Sequence, residues 1–141
     1  NEEYLSYLVD MDQSEILPGV MTVLEFLKAN HQPIALGSAR KNARPILEKT
    51  GILSYFDAIV DGNDVSNAKP DPEVFIKGAE ILGLSPSECI VFEDAASGVE
   101  AALSGGFFAL GIGDASELSR ANSVVSDLYG MTLKKLNQIT G

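Results

Sequence analysis

Short apolar runs alternate with helical patterns along this 141-residue chain. Runs such as Ile34–Gly37 show no alternation of apolar and polar positions, which is typical of strands buried on both faces. Stretches such as 19–30 place apolar residues three and four positions apart, which predicts amphipathic helices. The predicted strands are 34–37, 58–60, 89–92, 108–112 and an edge strand at 124–125, and the predicted helices are 4–9, 19–30, 42–50, 72–82, 97–104 and 132–139. This order predicts an α/β fold with a doubly wound parallel sheet.

The composition excludes some classes of binding partner and some kinds of site. The chain has 20 acidic and 10 basic side chains, for a net charge of −10. This charge argues against nucleic acid and against a membrane surface, because both bind basic faces. The single cysteine excludes an internal disulfide and a cysteine-based zinc site. Because the sequence has neither an apolar run of about 18 residues nor a signal-peptide pattern, we expect a cytoplasmic protein.

A possible phosphate site follows the strand predicted at 34–37. Ser38 and Ala39 come directly after it, and Arg40 and Asn42 follow before the next helix. A hydroxyl, a small residue and the amides of a helix N-terminus favour an anion, and the Arg and Asn side chains add donors. The alternative is that Ser38 or Asn42 only caps that helix.

Two further motifs follow the next strands. Lys69 lies in a loop that Pro70 and Pro72 make rigid, so its ammonium is suited to a phosphate or carboxylate partner, although a solvated lysine is the plainer alternative. Glu93 and Asp94 end the strand at 89–92 and are costly there unless they are paired or bind a cation such as Mg²⁺, although a capping aspartate is possible. Because parallel strands end at one edge of a sheet, we expect these groups to converge.

These motifs, in this order, resemble those of the haloacid dehalogenase superfamily of phosphatases and phosphomutases, and most of all its beta-phosphoglucomutase branch. The resemblance rests on LGSARKN at 36–42, AKPDP at 68–72 and FEDAASGVEAA at 92–102. It implies a Rossmann-like core and Mg²⁺-dependent phosphoryl transfer through an aspartyl-phosphate, with a phosphorylated sugar as substrate. The roles it implies are phosphoryl binding for Ser38 and Lys69, substrate binding for Ala39, Arg40 and Asn42, and Mg²⁺ binding for Glu93 and Asp94.

One feature of that family is not recognisable here. Its nucleophile is the first Asp of an Asp-x-Asp-Gly stretch that ends a central strand, and the only candidate is Asp10, within DMDQ at 10–13. This stretch has no glycine and lies on a helical pattern, so we predict that Asp10 is not the nucleophile. We expect 1–17 to form the end of a cap helix and its return linker, and 18–141 to form a core without its first strand.

Two consequences of that missing strand are predicted. Two buried strands would keep unpaired edges, which favours self-association or pairing with the missing segment. The 141 residues alone would be inactive, although the intact protein would be a phosphomutase. A sugar-phosphate phosphatase and a non-catalytic phosphate-binding module remain alternatives, and the first differs from a mutase only in using water as the acceptor.

Overall fold

The computed structural model describes residues 4–10, 19–41 and 43–141. Within these ranges, six strands form one parallel sheet that is covered by helices, which confirms the α/β prediction. The strands are β1 (Ser6–Asp10), β2 (Ile34–Gly37), β3 (Ala58–Val60), β4 (Cys89–Glu93), β5 (Phe108–Ile112) and β6 (Ser123–Val125). The helices are α1 (Val20–Ala29), α2 (Ala43–Thr50), α3 (Glu73–Leu82), α4 (Ala96–Ser104) and α5 (Leu133–Thr140), with short 3-10 turns at Leu53–Tyr55 and Pro86–Glu88.

The sheet has the order β3-β2-β1-β4-β5-β6, so the first of its strands along the described residues lies in its centre. It winds outwards through β2 to β3, then crosses back to β4 and continues to the other edge. Such a reversal of direction next to the first strand is the usual place for a ligand crevice in an open α/β sheet. Here the reversal lies between β2 and β4, on either side of β1.

Two apolar clusters lie on opposite faces of the sheet. Tyr7 and Val9 of β1 belong to the cluster that contains the buried faces of α1 and α5. Leu8 points the other way and packs with α3 and α4. All five residues of β1 are buried, so this strand contributes to the cores of both faces.

The helix predicted at 4–9 is wrong, because Ser6–Asp10 forms β1. Within the sheet Tyr7 is paired with Ile34 of β2 and Ile90 of β4. A strand that is covered on both faces has no polar face and so shows no two-residue alternation, and a few apolar positions can then match helical spacing by coincidence.

This correction removes the basis of two other expectations. The central strand that we expected to be missing is present as β1. The edges of β2 and β4 that we expected to promote association are both paired with it. Of the predicted cap segment 1–17, residues 4–10 form the strand and its approach, whereas 1–3 and 11–17 lie outside the described residues. No helix in the described ranges is long and apolar enough to cross a bilayer.

Candidate active site

The carboxyl ends of the three central strands bring the candidate residues together. Asp10 ends β1 and lies level with Gly37 of β2, so Ser38 emerges directly beside it. On the other side Val9 is paired with Phe92, which places Glu93 at the level of Asp10. The parallel register therefore brings a hydroxyl and two carboxylates to one edge.

Lys69 reaches this edge from the loop before α3. Its Nζ donates a hydrogen bond to Asp10 Oδ2 and lies 4.0 Å from Glu93 Oε2. The Lys69 side chain is 10% exposed, that of Asp10 2% and that of Glu93 0%. Because water screens charges poorly in such surroundings, the attraction between the Lys69 ammonium and the two neighbouring carboxyl groups is stronger than it would be at the surface.

Glu93 lacks part of the solvation that its charge requires. Its Oε1 accepts hydrogen bonds from the backbone N–H groups of Asp94 and Ala95, at 3.1 and 2.9 Å. Its Oε2 has no hydrogen-bond donor among the described residues. Burial raises the pKa of Glu93 far above its usual range, and the hydrogen bond and negative charge of Asp10 raise it further, against the opposing effect of Lys69.

Gly98 leaves the space that the Glu93 side chain occupies. A Cβ atom at Gly98 would lie 1.9 to 2.5 Å from the carboxyl group of Glu93. The first turn of α4 therefore packs directly against the Glu93 side chain, and any larger residue there would displace it. The glycine in the motif after β4 thus has a steric reason that is independent of backbone conformation.

A divalent cation fits the acidic groups. Asp10, Glu93 and Asp94 each offer an oxygen, and these oxygens lie within 4.8 Å of one another. All three are hard oxygen ligands of the kind that Mg²⁺ prefers. The unsatisfied Glu93 Oε2 is the group that a cation would neutralise, so the residues present suit such a metal.

The loop after β2 is held in place by the loop after β3. Ser38 Oγ accepts a hydrogen bond from the backbone N–H of Arg40 at 3.1 Å. The Arg40 carbonyl in turn accepts one from the N–H of Gly62 at 2.9 Å, and Asn63 Nδ2 donates to the Lys41 carbonyl at 2.8 Å. A Cβ at Gly62 would lie 2.3 Å from the carbonyl oxygen of Ala39, so only glycine permits this approach.

The predicted site residues differ in how far they are buried. Ala39 and Lys69 line one cavity of about 140 Å³, which places the loop after β2 beside the lysine. Ser38 is fully buried and Arg40 half-buried, whereas Ala39 and Asp94 are exposed. Asn42 lies outside the described residues.

Sequence reasoning missed Asp10 as a member of this cluster. The available signal was its position after the apolar run Tyr7-Leu8-Val9, which has the length of a buried strand. The spacing of Tyr4, Leu5, Leu8 and Val9 also fits a helix, and it is this spacing that predicts the wrong element. The pairing of β1 between β2 and β4 overrides that spacing.

Comparison with known proteins adds to this geometry. The model of the family described as "haloacid dehalogenase-like hydrolase" matches residues 1–106. The chain belongs to this family. The family predicted from the three sequence motifs is thereby confirmed.

Several relatives of this haloacid dehalogenase-like chain act on phosphorylated sugars by name. It is 35% identical to a beta-phosphoglucomutase of Bacillus subtilis over 98% of this chain and 61% of that protein. It is 42% identical to a phosphorylated carbohydrates phosphatase of Thermotoga maritima, over 66% of this chain and 45% of that one. A crystal structure of a beta-phosphoglucomutase from Clostridium difficile matches with a TM-score of 0.83 at 37% identity, covering 89% of this chain and 56% of that one.

These relatives are longer than the chain. It spans between 45% and 61% of the proteins named above. The match to the family model establishes the family of the chain. The relatives named above share phosphoryl transfer on sugar phosphates, by their names.

Proposed function

We propose that the protein carrying this chain is a Mg²⁺-dependent phosphomutase that acts on sugar phosphates through an aspartyl-phosphate. The observation that carries the proposal is the buried contact of Lys69 with Asp10 and Glu93 at the end of the central strands. A phosphoryl group is a dianion, so its transfer needs fixed positive charge at the reacting oxygens. Lys69 supplies one such charge from the protein itself.

Asp10, Glu93 and Asp94 are the residues that would hold Mg²⁺. When bound, the ion supplies a second positive charge beside the transferring group, which offsets the negative charge of the transition state. A cation would offset the burial of Glu93, whose Oε2 is buried without a hydrogen-bond donor among the described residues. Asp94 is exposed and so faces the open side of the site.

We assign Asp10 as the nucleophile, which replaces the sequence-based prediction that it is not, because Asp10 ends the buried central strand β1 in contact with Lys69. In the first step an Asp10 oxygen forms a bond to phosphorus while the bond from phosphorus to the sugar oxygen breaks. The sugar oxygen leaves with the electron pair of that bond and takes up a proton from solvent water. Lys69, whose ammonium contacts Asp10, donates to the phosphoryl oxygens, and Ser38, which follows Gly37 at the level of Asp10, donates to them as well.

The sequence around Asp10 provides the competing assignment. The family motif has a glycine where this chain has Gln13, and residues 11–18 lie outside the described ones. An aspartate from a segment outside this chain is then the alternative nucleophile, and Asp10 would be a residue of the metal site alone. The prediction that the 141 residues are inactive by themselves stays a prediction, although the absence of a central strand no longer supports it.

In the second step the phosphoryl group passes from Asp10 to an acceptor oxygen. A hydroxyl of a second sugar phosphate as acceptor gives a mutase, and water gives a phosphatase. Arg40 favours the mutase, because a guanidinium in the loop beside Ser38 suits a second phosphate that is not transferred. The phosphatase is the alternative, because the relative from Thermotoga maritima carries that name.

One assay separates these functions. The intact protein is incubated with Mg²⁺, the β anomer of glucose 1-phosphate and a trace of the sugar bisphosphate, and both glucose 6-phosphate and inorganic phosphate are followed. We expect glucose 6-phosphate to form faster than inorganic phosphate. Release of inorganic phosphate alone would establish the phosphatase, and binding of phosphate without either product would establish the non-catalytic module.

A further inference from the structure

Glu73 begins α3 but its side chain turns back to the loop that carries Lys69. Its Oε1 accepts hydrogen bonds from the backbone N–H of Asn67 at 2.8 Å and from Asn67 Nδ2 at 3.2 Å. The backbone N–H of Ser66 lies 3.1 Å from both carboxylate oxygens. One carboxylate therefore binds the segment that immediately precedes Ala68 and Lys69.

We propose that Glu73 is a positioning residue for Lys69, which fixes the 66–69 segment so that the Lys69 ammonium stays at the carboxylates of β1 and β4. The inference rests on the proposed function, because it assigns Lys69 the role of holding the phosphoryl group. Glu73 itself does not contact the reacting atoms. It acts through the backbone that leads to the lysine.

The loop is closed on both sides of Lys69. Before the lysine, Glu73 binds the N–H groups of Ser66 and Asn67. After it, the N–H of Asp71 donates to the Ala68 carbonyl at 3.0 Å, and Asp71 Oδ1 accepts from the Glu73 N–H at 2.9 Å. The long Lys69 side chain thus starts from a backbone that has little freedom to shift.

The Glu73 carboxyl group, which anchors this loop, is ionised at neutral pH. The N–H groups of Ser66 and Asn67 lower the pKa of Glu73, and the neighbouring Lys77 ammonium contributes less. The carboxylate is only 19% exposed, and Lys77 Nζ lies 3.3 Å from its Oε2. Hydrogen bonds from N–H groups to an ionised acceptor are shorter and stronger than neutral ones, so the anchor suits a loop that must stay fixed.

Lys77 extends the same network to the other loop of the site. It donates a hydrogen bond to the Asp64 carbonyl, and Asp64 Oδ2 accepts from the N–H of Asp61 at 2.9 Å. The segment 61–64 includes Gly62, which holds the Arg40 carbonyl. The first turns of α3 thereby connect the lysine loop with the loop that follows β2.

A stabilising carboxylate at a helix N-terminus is the plainer explanation, because it favours any helix whatever lies before it. Kinetics of the intact protein separate the two roles. Glu73→Ala is compared with Glu73→Gln, which keeps one carbonyl oxygen, and with Glu80→Ala, a matched change at an exposed residue of the same helix. We expect Glu73→Ala to lower kcat about tenfold with little change in KM, Glu73→Gln to restore part of it, and Glu80→Ala to match the parent.

The decisive kinetic result comes from the Lys69→Ala background. If Glu73 acts through Lys69, Glu73→Ala causes no further loss of kcat once the lysine is absent. A loss that multiplies with that of Lys69→Ala would overturn the proposal and leave Glu73 as a helix-stabilising residue. Equal kcat for Glu73→Ala and the parent would overturn it as well.

A second readout does not depend on turnover. Acetylation of lysines by a small active ester, followed by peptide mass spectrometry, reports the reactivity of Lys69 against the exposed Lys28. We expect Lys69 to react several-fold faster in Glu73→Ala than in the parent or in Glu80→Ala. Unchanged Lys69 reactivity in Glu73→Ala would refute the positioning role. If the parent shows no turnover at all, the proposed function fails, and this labelling still decides whether Glu73 fixes Lys69.

Discussion

Lys69 donates a hydrogen bond to Asp10 across 59 positions of the sequence. The contact joins the end of the central strand to the loop before α3, in surroundings where the lysine side chain is 10% exposed and the aspartate 2%. Glu93 lies on the other side of the ammonium at 4.0 Å. One cation therefore faces two buried carboxyl groups at the place where Mg²⁺ would bind.

Replacement of Lys69 tests the lysine's role directly. We expect Lys69→Ala to lower kcat and kcat/KM together, by roughly the 10²- to 10³-fold typical of one lost electrostatic group. The reason is that its charge matters most when the phosphoryl group is in transfer. Lys49→Ala, at an exposed lysine of α2, serves as the control and should leave the kinetics unchanged. A higher KM with an unaltered kcat would limit Lys69 to substrate binding.

Replacement of Asp10 decides between the two candidate nucleophiles. We expect Asp10→Asn to abolish turnover by the intact protein, because an amide cannot form the acyl phosphate bond. Mass spectrometry of the parent, quenched during turnover, should locate the added phosphate on the peptide that contains Asp10. Parental turnover in Asp10→Asn, or a phosphate on another peptide, would assign the nucleophile to a segment outside this chain.

Arg40 is predicted to recognise a second phosphate of the substrate. We expect Arg40→Ala to raise KM for a sugar bisphosphate while kcat changes little, because its contact would be equal in the ground state and the transition state. An aryl phosphate with a single phosphate group should be turned over as by the parent. Arg120→Ala removes an exposed guanidinium paired with Glu100 and is the matched control. Equal losses on both substrates would favour the phosphatase over the mutase.

Most of the fold follows from local sequence signals. Ile34–Gly37, Ala58–Val60 and Phe108–Ile112 are continuous apolar runs, and the structure has strands with those bounds. The predicted end of the helix at 72–82 is confirmed by Gly83, which adopts a left-handed conformation with φ of 74°. These features depend on a few neighbouring residues, so a single sequence suffices to predict them.

What could not be predicted depends on distant partners. Ser6–Asp10 is a strand because β2 and β4 flank it, and neither pairing is visible in a five-residue run. The contacts of Glu73 depend on the path of the loop that returns to Ser66 and Asn67, which no residue pattern specifies. The proximity of Lys69, Glu93 and Asp94 was predictable, because parallel strands end at one edge of a sheet. Their proximity to Asp10 could not be predicted without knowing that Ser6–Asp10 is a strand beside β4.

The buried Glu93 predicts an unusual pH dependence for the metal-free protein. Its pKa in the folded state is raised above the ordinary 4.5, first by burial and then by Asp10. Between the two pKa values the folded protein holds a proton that the unfolded chain has released, so the free energy of unfolding falls as the pH rises through that window. Urea unfolding in the presence of a chelator, from about pH 5 to about pH 9, measures this slope.

Two variants isolate the contribution of Glu93 to that slope. Glu93→Gln removes the titrating group, so we expect a flatter dependence and a higher stability at alkaline pH than the parent has. Glu80→Gln, at an exposed position of α3, should keep the parental slope. A parental slope in Glu93→Gln would mean that Glu93 is ionised in the folded protein without metal.

Calorimetric titration of the intact protein with Mg²⁺ tests the central claim, which is that the carboxylates at the ends of β1 and β4 form a metal site beside Lys69. We expect Asp94→Asn and Glu93→Gln each to weaken Mg²⁺ binding by at least about tenfold. Even the loss of a residue that only supports a metal ligand lowers metal affinity by about that factor. Glu25→Gln, at an exposed residue of α1, should bind as the parent does. Parental Mg²⁺ affinity in both Asp94→Asn and Glu93→Gln would contradict the account.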